Sequence, residues 1–172
     1  MGKIKSTLDL VMARTQHLSM SAQEKAQQQR IQFEKRLAGL LQKFADQTLT
    51  VTDLQNRMDN LKKEFNLSEP DVILKAVLAR IDPNQDNDHW LALIADLMPS
   101  THAPIKKILT TYHNQKVELY QKSASVLLNR LNRYHGIAGS AVIPNPQKDP
   151  HYQNNLAALH ADTQTKITAI PT

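Results

Sequence analysis

The sequence predicts an all-α protein of antiparallel helical hairpins or a bundle, with one long helix and an extended, apolar C-terminal segment. Apolar residues recur at the three- and four-residue spacing of helices over most of the chain. Only 4 of 172 residues are glycine. Aromatic residues make up 5% of the chain, so the core must be mainly aliphatic, which suits packing between helices.

The N-terminal third predicts two helices. The first covers about Ile4–Leu18 and shows one apolar face. The second follows Ser21, which forms a capping box with Glu24, and it continues to about Gln47. Its predicted apolar stripe has residues spaced by four, three and four positions: Phe33, Leu37, Leu40 and Phe44.

A second capping box, Thr52 with Gln55, predicts that the chain restarts as a helix. This helix repeats the same spacing in Leu54, Met58, Leu61 and Phe65. Because a short threonine-rich turn joins two similar stripes, we expect them to face each other in a hairpin.

The middle of the chain predicts two more helices. Ser68–Asp71 is a start signal, and the helix to Ile81 is apolar on most sides, which indicates a central position. The loop 82–87 leads to a short helix that contains Trp90 and that Pro99 is expected to end.

The longest predicted helix covers about Pro104–His135, and Gly136 is its expected stop. It would be about 50 Å long. A compact globule of this chain length is about 40 Å across, so the helix would extend beyond it and need a covering partner.

Residues 137–143 differ from the predicted helices, because they are small or β-branched. In a helical chain they have no strand partner. Two interpretations stay open for this segment: it covers the protein's own helices as an irregular strap, or it docks on another subunit. The hypothesis for docking places Ile137, Val142 and Ile143 in the interface. A short helix through Leu159 and a loose tail from Thr163 are expected to follow. The predicted organisation is a helical domain at 1–136 and a C-terminal arm at 137–172.

The formal charge of +5 is unevenly distributed. Residues 66–99 carry six acidic and two basic side chains, whereas residues 100–136 carry one acidic and six basic side chains. These regions can neutralise each other, which weakens the inference from a basic composition to nucleic-acid binding. The alternative is a nucleic-acid groove on the long helix, with tyrosines among its basic residues. Those residues are Lys106, Lys107, Lys116, Lys122, Arg130 and Arg133.

The segment Asp82–Asp88 places oxygen-bearing side chains at alternate positions, as a calcium loop does. Asn87 stands where such a loop needs glycine, and Leu93 stands where it needs a bidentate glutamate. We therefore expect these residues to end one helix and cap the next. The seven histidines form no metal motif at helical spacing, and no metal or other cofactor is predicted.

No enzyme class is indicated. The chain lacks cysteine, a glycine-rich phosphate loop and the G-x-S-x-G elbow of serine hydrolases. Met1–Arg14 lacks the apolar run of a signal peptide, and no stretch reaches the roughly 20 apolar residues that span a bilayer. These features predict a cytoplasmic protein without a membrane segment.

Two segments, Lys5–Met12 and Gly136–Asn145, resemble a family of small, uncharacterised bacterial helical proteins. The resemblance implies a bacterial cytoplasmic protein and brings no activity and no site residues. We therefore expect a non-catalytic helical protein that binds protein, first of all itself as a homo-oligomer, with a dimer favoured. A basic nucleic-acid-binding module is possible but not favoured.

Overall fold

The structure is a computed structural model that describes residues 21–66 and 70–171. The predicted helix Ile4–Leu18, the start signal at Ser68 and the first of the two resemblance segments lie outside these residues.

The all-α prediction is confirmed, since residues 21–66 and 70–171 form six α-helices and no strand. The helices are α1 (Ala22–Ala45), α2 (Val51–Phe65), α3 (Pro70–Leu78), α4 (Asp88–Leu97), α5 (Pro99–His135) and α6 (Pro150–Thr168). A short 3₁₀ helix, Pro146–Lys148, precedes α6. The arrangement as a bundle of hairpins stays a prediction.

The described residues fall into two compact units, 21–66 and 70–171. The first contains α1 and α2, and the second contains α3 to α6. The boundary predicted at residue 136 stays a prediction, and it differs from the division between these units.

Local hydrogen bonds set the starts of α1 and α2. The Ser21 hydroxyl accepts from the Glu24 N–H, and Glu24 accepts from the Ser21 N–H at 2.6 Å, which confirms the first capping box. These bonds lower the pKa of Glu24. The second box is wrong. Thr50 rather than Thr52 caps α2, because its hydroxyl accepts from the Asp53 N–H.

Helices α1 and α2 pack through an apolar seam. It contains Phe33, Leu37, Leu41 and Phe44 from α1 and Leu54, Met58 and Leu61 from α2. The predicted stripe is wrong at one position, since Leu41 is buried and Leu40 is only half-buried. Both leucines fit helical spacing, and the direction of the neighbouring helix decides between them.

The second unit has a core formed by α3, α4, the first part of α5 and α6. Ile73, Leu74, Val77 and Leu78 of α3 are buried, as are Trp90, Leu93 and Ile94 of α4. This burial agrees with the apolar composition of both helices. Helix α3 ends at Leu78 rather than Ile81, although Ile81 itself is buried.

The long helix α5 begins at Pro99, five residues before the predicted start. Pro99 begins this helix instead of ending α4, because a proline at the first position of a helix needs no N–H donor. Pro104 lies inside α5. The predicted stop is confirmed: Gly136 has a φ of 64°, and its N–H donates to the Asn132 carbonyl.

The C-terminal arm is more helical than predicted. Asp149 caps α6 by accepting from the His151 N–H, and the helix continues to Thr168. Tyr152, Thr163 and Ile167 are buried along it. The expected loose tail from Thr163 is wrong, since the helix continues to Thr168. The buried Thr163 and Ile167 extend the packed face of α6 into this stretch.

Candidate interaction surface

Helix α5 divides at Tyr112 into two halves with different surroundings. Thr101, Ile105, Leu109 and Tyr112 are buried in the first half. None of residues 113–135 is buried. A helix in a globular protein normally buries one apolar stripe along its length. Because the second half of α5 buries no residue, it is the candidate partner surface.

The second half carries apolar side chains at alternating spacings of three and four residues. We name this stripe the α5 seam; it consists of Val117, Tyr120, Ala124, Leu127, Leu131 and Tyr134. Val117 is 56% exposed and Tyr134 is 69% exposed, while Ala124, Leu127 and Leu131 are half-buried. This is the spacing of helices that pair along a left-handed supercoil.

The sequence prediction missed the α5 seam. The alternation of three and four from Val117 onward was readable from the sequence. It also separates the seam from Val126, which is 63% exposed and lies on another side of the helix.

The positions beside the α5 seam carry little charge. In the heptad that Val117 begins, the flanking positions hold Gln121, Ser123 and Leu128, together with basic Lys116, Arg130 and His135. No carboxylate occupies a flanking position. An association through this seam would therefore rest on its apolar side chains.

The predicted interface residues follow the end of α5 and differ in exposure. Ile137 is exposed, Val142 is half-buried and Ile143 is 87% exposed. The segment 137–143 is not extended throughout, because the Val142 N–H donates to the Gly139 carbonyl in a turn. Gly139 has a φ of 128°, a conformation that glycine adopts without strain.

Polar contacts fix α5 to its neighbours where the buried half ends. The hydroxyl of Tyr112 donates to Asn84 Oδ1 at 2.7 Å, and Lys116 Nζ donates to the same oxygen at 2.8 Å. The Lys116 ammonium also lies 5.8 Å from the centre of the Tyr112 ring. Burial raises the pKa of the Tyr112 hydroxyl.

A second contact joins α6 to the same loop. His160 Nε2 lies 3.1 Å from Asp82 Oδ1, and the His160 ring is edge-on to Tyr112 at 6.3 Å. The pKa of Asp82 is lowered, chiefly by the backbone N–H of Asn84, which donates to its carboxylate; burial opposes this and His160 adds to it. These contacts are structural links between elements.

Side-chain oxygens of the loop 82–88 accept hydrogen bonds from N–H and O–H groups of the protein itself. Asn87 is buried, and its Oδ1 accepts from the Asp82 N–H while its Nδ2 donates to the carbonyls of Asp82 and Gln85. Asp86 accepts from the Asp88 N–H at the start of α4. Among the described residues no group of three or more potential metal-binding side chains of the His, Cys, Asp or Glu type is found.

The basic residues of α5 do not form a groove lined with free rings. Tyr112 is buried, and Tyr120 packs edge-on to Tyr152 at 6.0 Å. Tyr134 is the most exposed of these rings, and the Arg133 guanidinium lies 5.9 Å from its centre. Tyr134 is thus the ring on this face that a base could stack on without repacking.

Within the described part of the chain, no helix has both the length and the apolar character required to cross a membrane. No protein-family model, no curated protein and no solved structure matches this sequence. The resemblance drawn from two segments gains no support from these comparisons.

Proposed function

We propose that this chain is a non-catalytic helical protein that self-associates, with the α5 seam and Ile143 as the contact surface. The observation that supports this most directly is the apolar seam with pairing periodicity on the half of α5 that has no buried residue. Val117, Tyr120 and Tyr134 are the exposed side chains of the seam, and exposed apolar surface is typical of protein-interaction sites.

The flanking charges permit a second copy of the chain as the partner. In a parallel pair, Lys116 would face Gln121, Ser123 would face Leu128 and Arg130 would face His135 of the other copy, so only the last pair sets two basic groups together. In an antiparallel pair that overlaps the whole seam, Ser123 would lie beside Arg130 of the other copy, so few like charges would meet there as well. We therefore favour a two-fold symmetric dimer in which the two α5 seams pair.

The dimer should be weak if the α5 seam acts alone. Its residues 117–134 cover only about five helical turns, and short paired helices are marginal in water. Ile137 and Ile143 are exposed in the segment that follows the helix and would add apolar area to the contact. We expect dissociation to be detectable at micromolar concentrations.

Light scattering during size-exclusion chromatography, over a range of loading concentrations, tests this proposal. Val117→Gln should shift the chain toward the monomer, because Val117 lies in the α5 seam. Val126→Gln is the matched control, since it removes an exposed valine from the same helix but outside the seam. Equal behaviour of the two variants, or a monomeric wild type at every concentration, would contradict the proposal.

Nucleic-acid binding remains the second candidate, supported by the excess of basic residues on α5 and the exposed Tyr134. A high ratio of absorbance at 260 to 280 nm in the purified protein, together with an elution volume that changes in high salt, would favour it. A low ratio and a salt-independent elution volume would favour self-association.

A further inference from the structure

A groove of about 370 Å³ lies between α1 and α2. Gly39 and Leu40 line it from α1, and Asn60 and Leu61 line it from α2. A Cβ atom on Gly39 would meet no heavy atom within 4 Å, so the space above this glycine is open. The middle of the groove is thus apolar apart from one amide, and charged side chains line its two ends. Its volume lies in the range of about 300–1,000 Å³ that is typical of small-molecule sites.

One end of the groove is electrically neutral. Arg36 forms an ion pair with Glu64, and its guanidinium lies 5.2 Å from the centre of the Phe65 ring. Phe65 in turn packs edge-on to Phe33 at 6.0 Å. These contacts pair the middle of α1 with the end of α2, so the two helices run in opposite directions.

The other end brings two cations together. Lys43 lies two helical turns after Arg36, and Arg57 lies two turns before Glu64. Because the helices are opposed in direction, these steps lead to facing positions, and both side chains line the groove. Neither has an ion-pair partner among the described residues.

Facing like charges repel, and an anion between them would replace the repulsion with two attractive contacts. We propose that this groove binds a small phosphomonoester, with its phosphate between Lys43 and Arg57 and its apolar body against Leu40 and Leu61. A phosphate monoester carries about −1.5 to −2 charges at neutral pH, which matches two cations better than a single carboxylate does. Arginine adds a planar pair of donors suited to phosphate oxygens.

Phenyl phosphate is the probe, titrated into the full chain at constant ionic strength and followed by isothermal calorimetry. We expect saturable binding that is tighter than that of inorganic phosphate or benzoate. The double variant Lys43→Gln with Arg57→Gln should weaken it about tenfold or more, because both charge-assisted contacts are lost.

Lys35→Gln with Lys63→Gln is the matched control. It removes the same charge from exposed positions on the same two helices, outside the groove, and should leave the affinity within about twofold. Gly39→Leu should also block binding, because its side chain fills the groove while every charge stays. Circular dichroism checks that each variant is folded.

Three results would overturn this assignment. One is an absence of saturable phenyl phosphate binding to the wild-type chain at concentrations up to about 10 mM. Another is equal weakening by the groove variant and its control, which would mean general charge attraction. The third is equal affinity for phenyl phosphate and inorganic phosphate, which would exclude a role for the apolar lining.

Discussion

His160 on α6 and Asp82 in the loop after α3 lie 3.1 Å apart, although 78 positions separate them in the sequence. Their contact joins the last helix to the loop that Asn87 closes. It lies beside Tyr112, the last buried residue of α5. The loop therefore connects α5 and α6 at the point where burial along α5 ends.

Asp82→Asn should lower the free energy of unfolding at neutral pH. The pKa of Asp82 is lowered in the folded chain, so the stabilisation is present above the pKa of the unfolded state and is lost as the pH falls through the folded value. Because the side chains of Asp82 and His160 are 38% and 35% exposed, screening limits the His160 contact to less than about 1 kcal/mol. Urea unfolding of both chains at pH 7 and at successively lower pH measures this, and a difference that does not shrink as the pH falls would contradict the charge explanation.

Asn87→Ala should destabilise the second unit by about 1–3 kcal/mol, because it leaves partly buried backbone groups of Asp82 without their partner. Gln85→Ala is the control, since the Gln85 side chain is exposed and only its carbonyl receives the Asn87 bond. Thermal unfolding followed by circular dichroism compares the two. Equal melting temperatures would mean that the loop holds its shape without Asn87.

Leu41→Ala should cost about 2–5 kcal/mol of unfolding free energy, because Leu41 is fully buried between α1 and α2. Leu40→Ala should cost clearly less, since Leu40 is half-buried beside the open groove. Denaturant titration of both variants gives the comparison. If Leu40→Ala were the more damaging change, the assignment of the packed stripe would be wrong.

Ile143→Asp and Val142→Asp separate docking between subunits from packing within one chain. Ile143 is exposed, so its variant should keep the melting temperature of the monomer and reduce self-association. Val142 is half-buried, so its variant should lower the melting temperature. Light scattering measures self-association, and thermal unfolding measures the melting temperature. Unchanged association of the Ile143 variant would mean that Ile143 is not part of the contact surface.

The fold class and several helix ends could be predicted from the sequence, because they depend on residues that are close together in the chain. The Ser21–Glu24 box and the Gly136 stop depend on neighbours within a few positions. Pro99 shows where such a local signal is ambiguous. The same proline can end one helix or begin the next, and the structure makes it the first residue of α5.

Contacts between distant segments could not be predicted in this way. Leu40 and Leu41 fit the same helical period, and only the position of α2 decides which one is buried. The facing of Lys43 and Arg57 likewise depends on how two helices are paired, and neither residue belongs to a motif. The α5 seam is different, since its spacing is local and was open to prediction.

The two halves of α5 should also differ in how readily their backbone opens. Amide protons near Ile105 and Leu109 are shielded by a packed core, so their exchange with deuterated water should require a large fraction of the unit to unfold. Amides between residues 113 and 135 belong to the half of α5 that has no buried side chain, and local fraying can expose them. A bound partner would suppress this local fraying. Slower deuterium uptake at individual residues between 113 and 135 would then identify the contact.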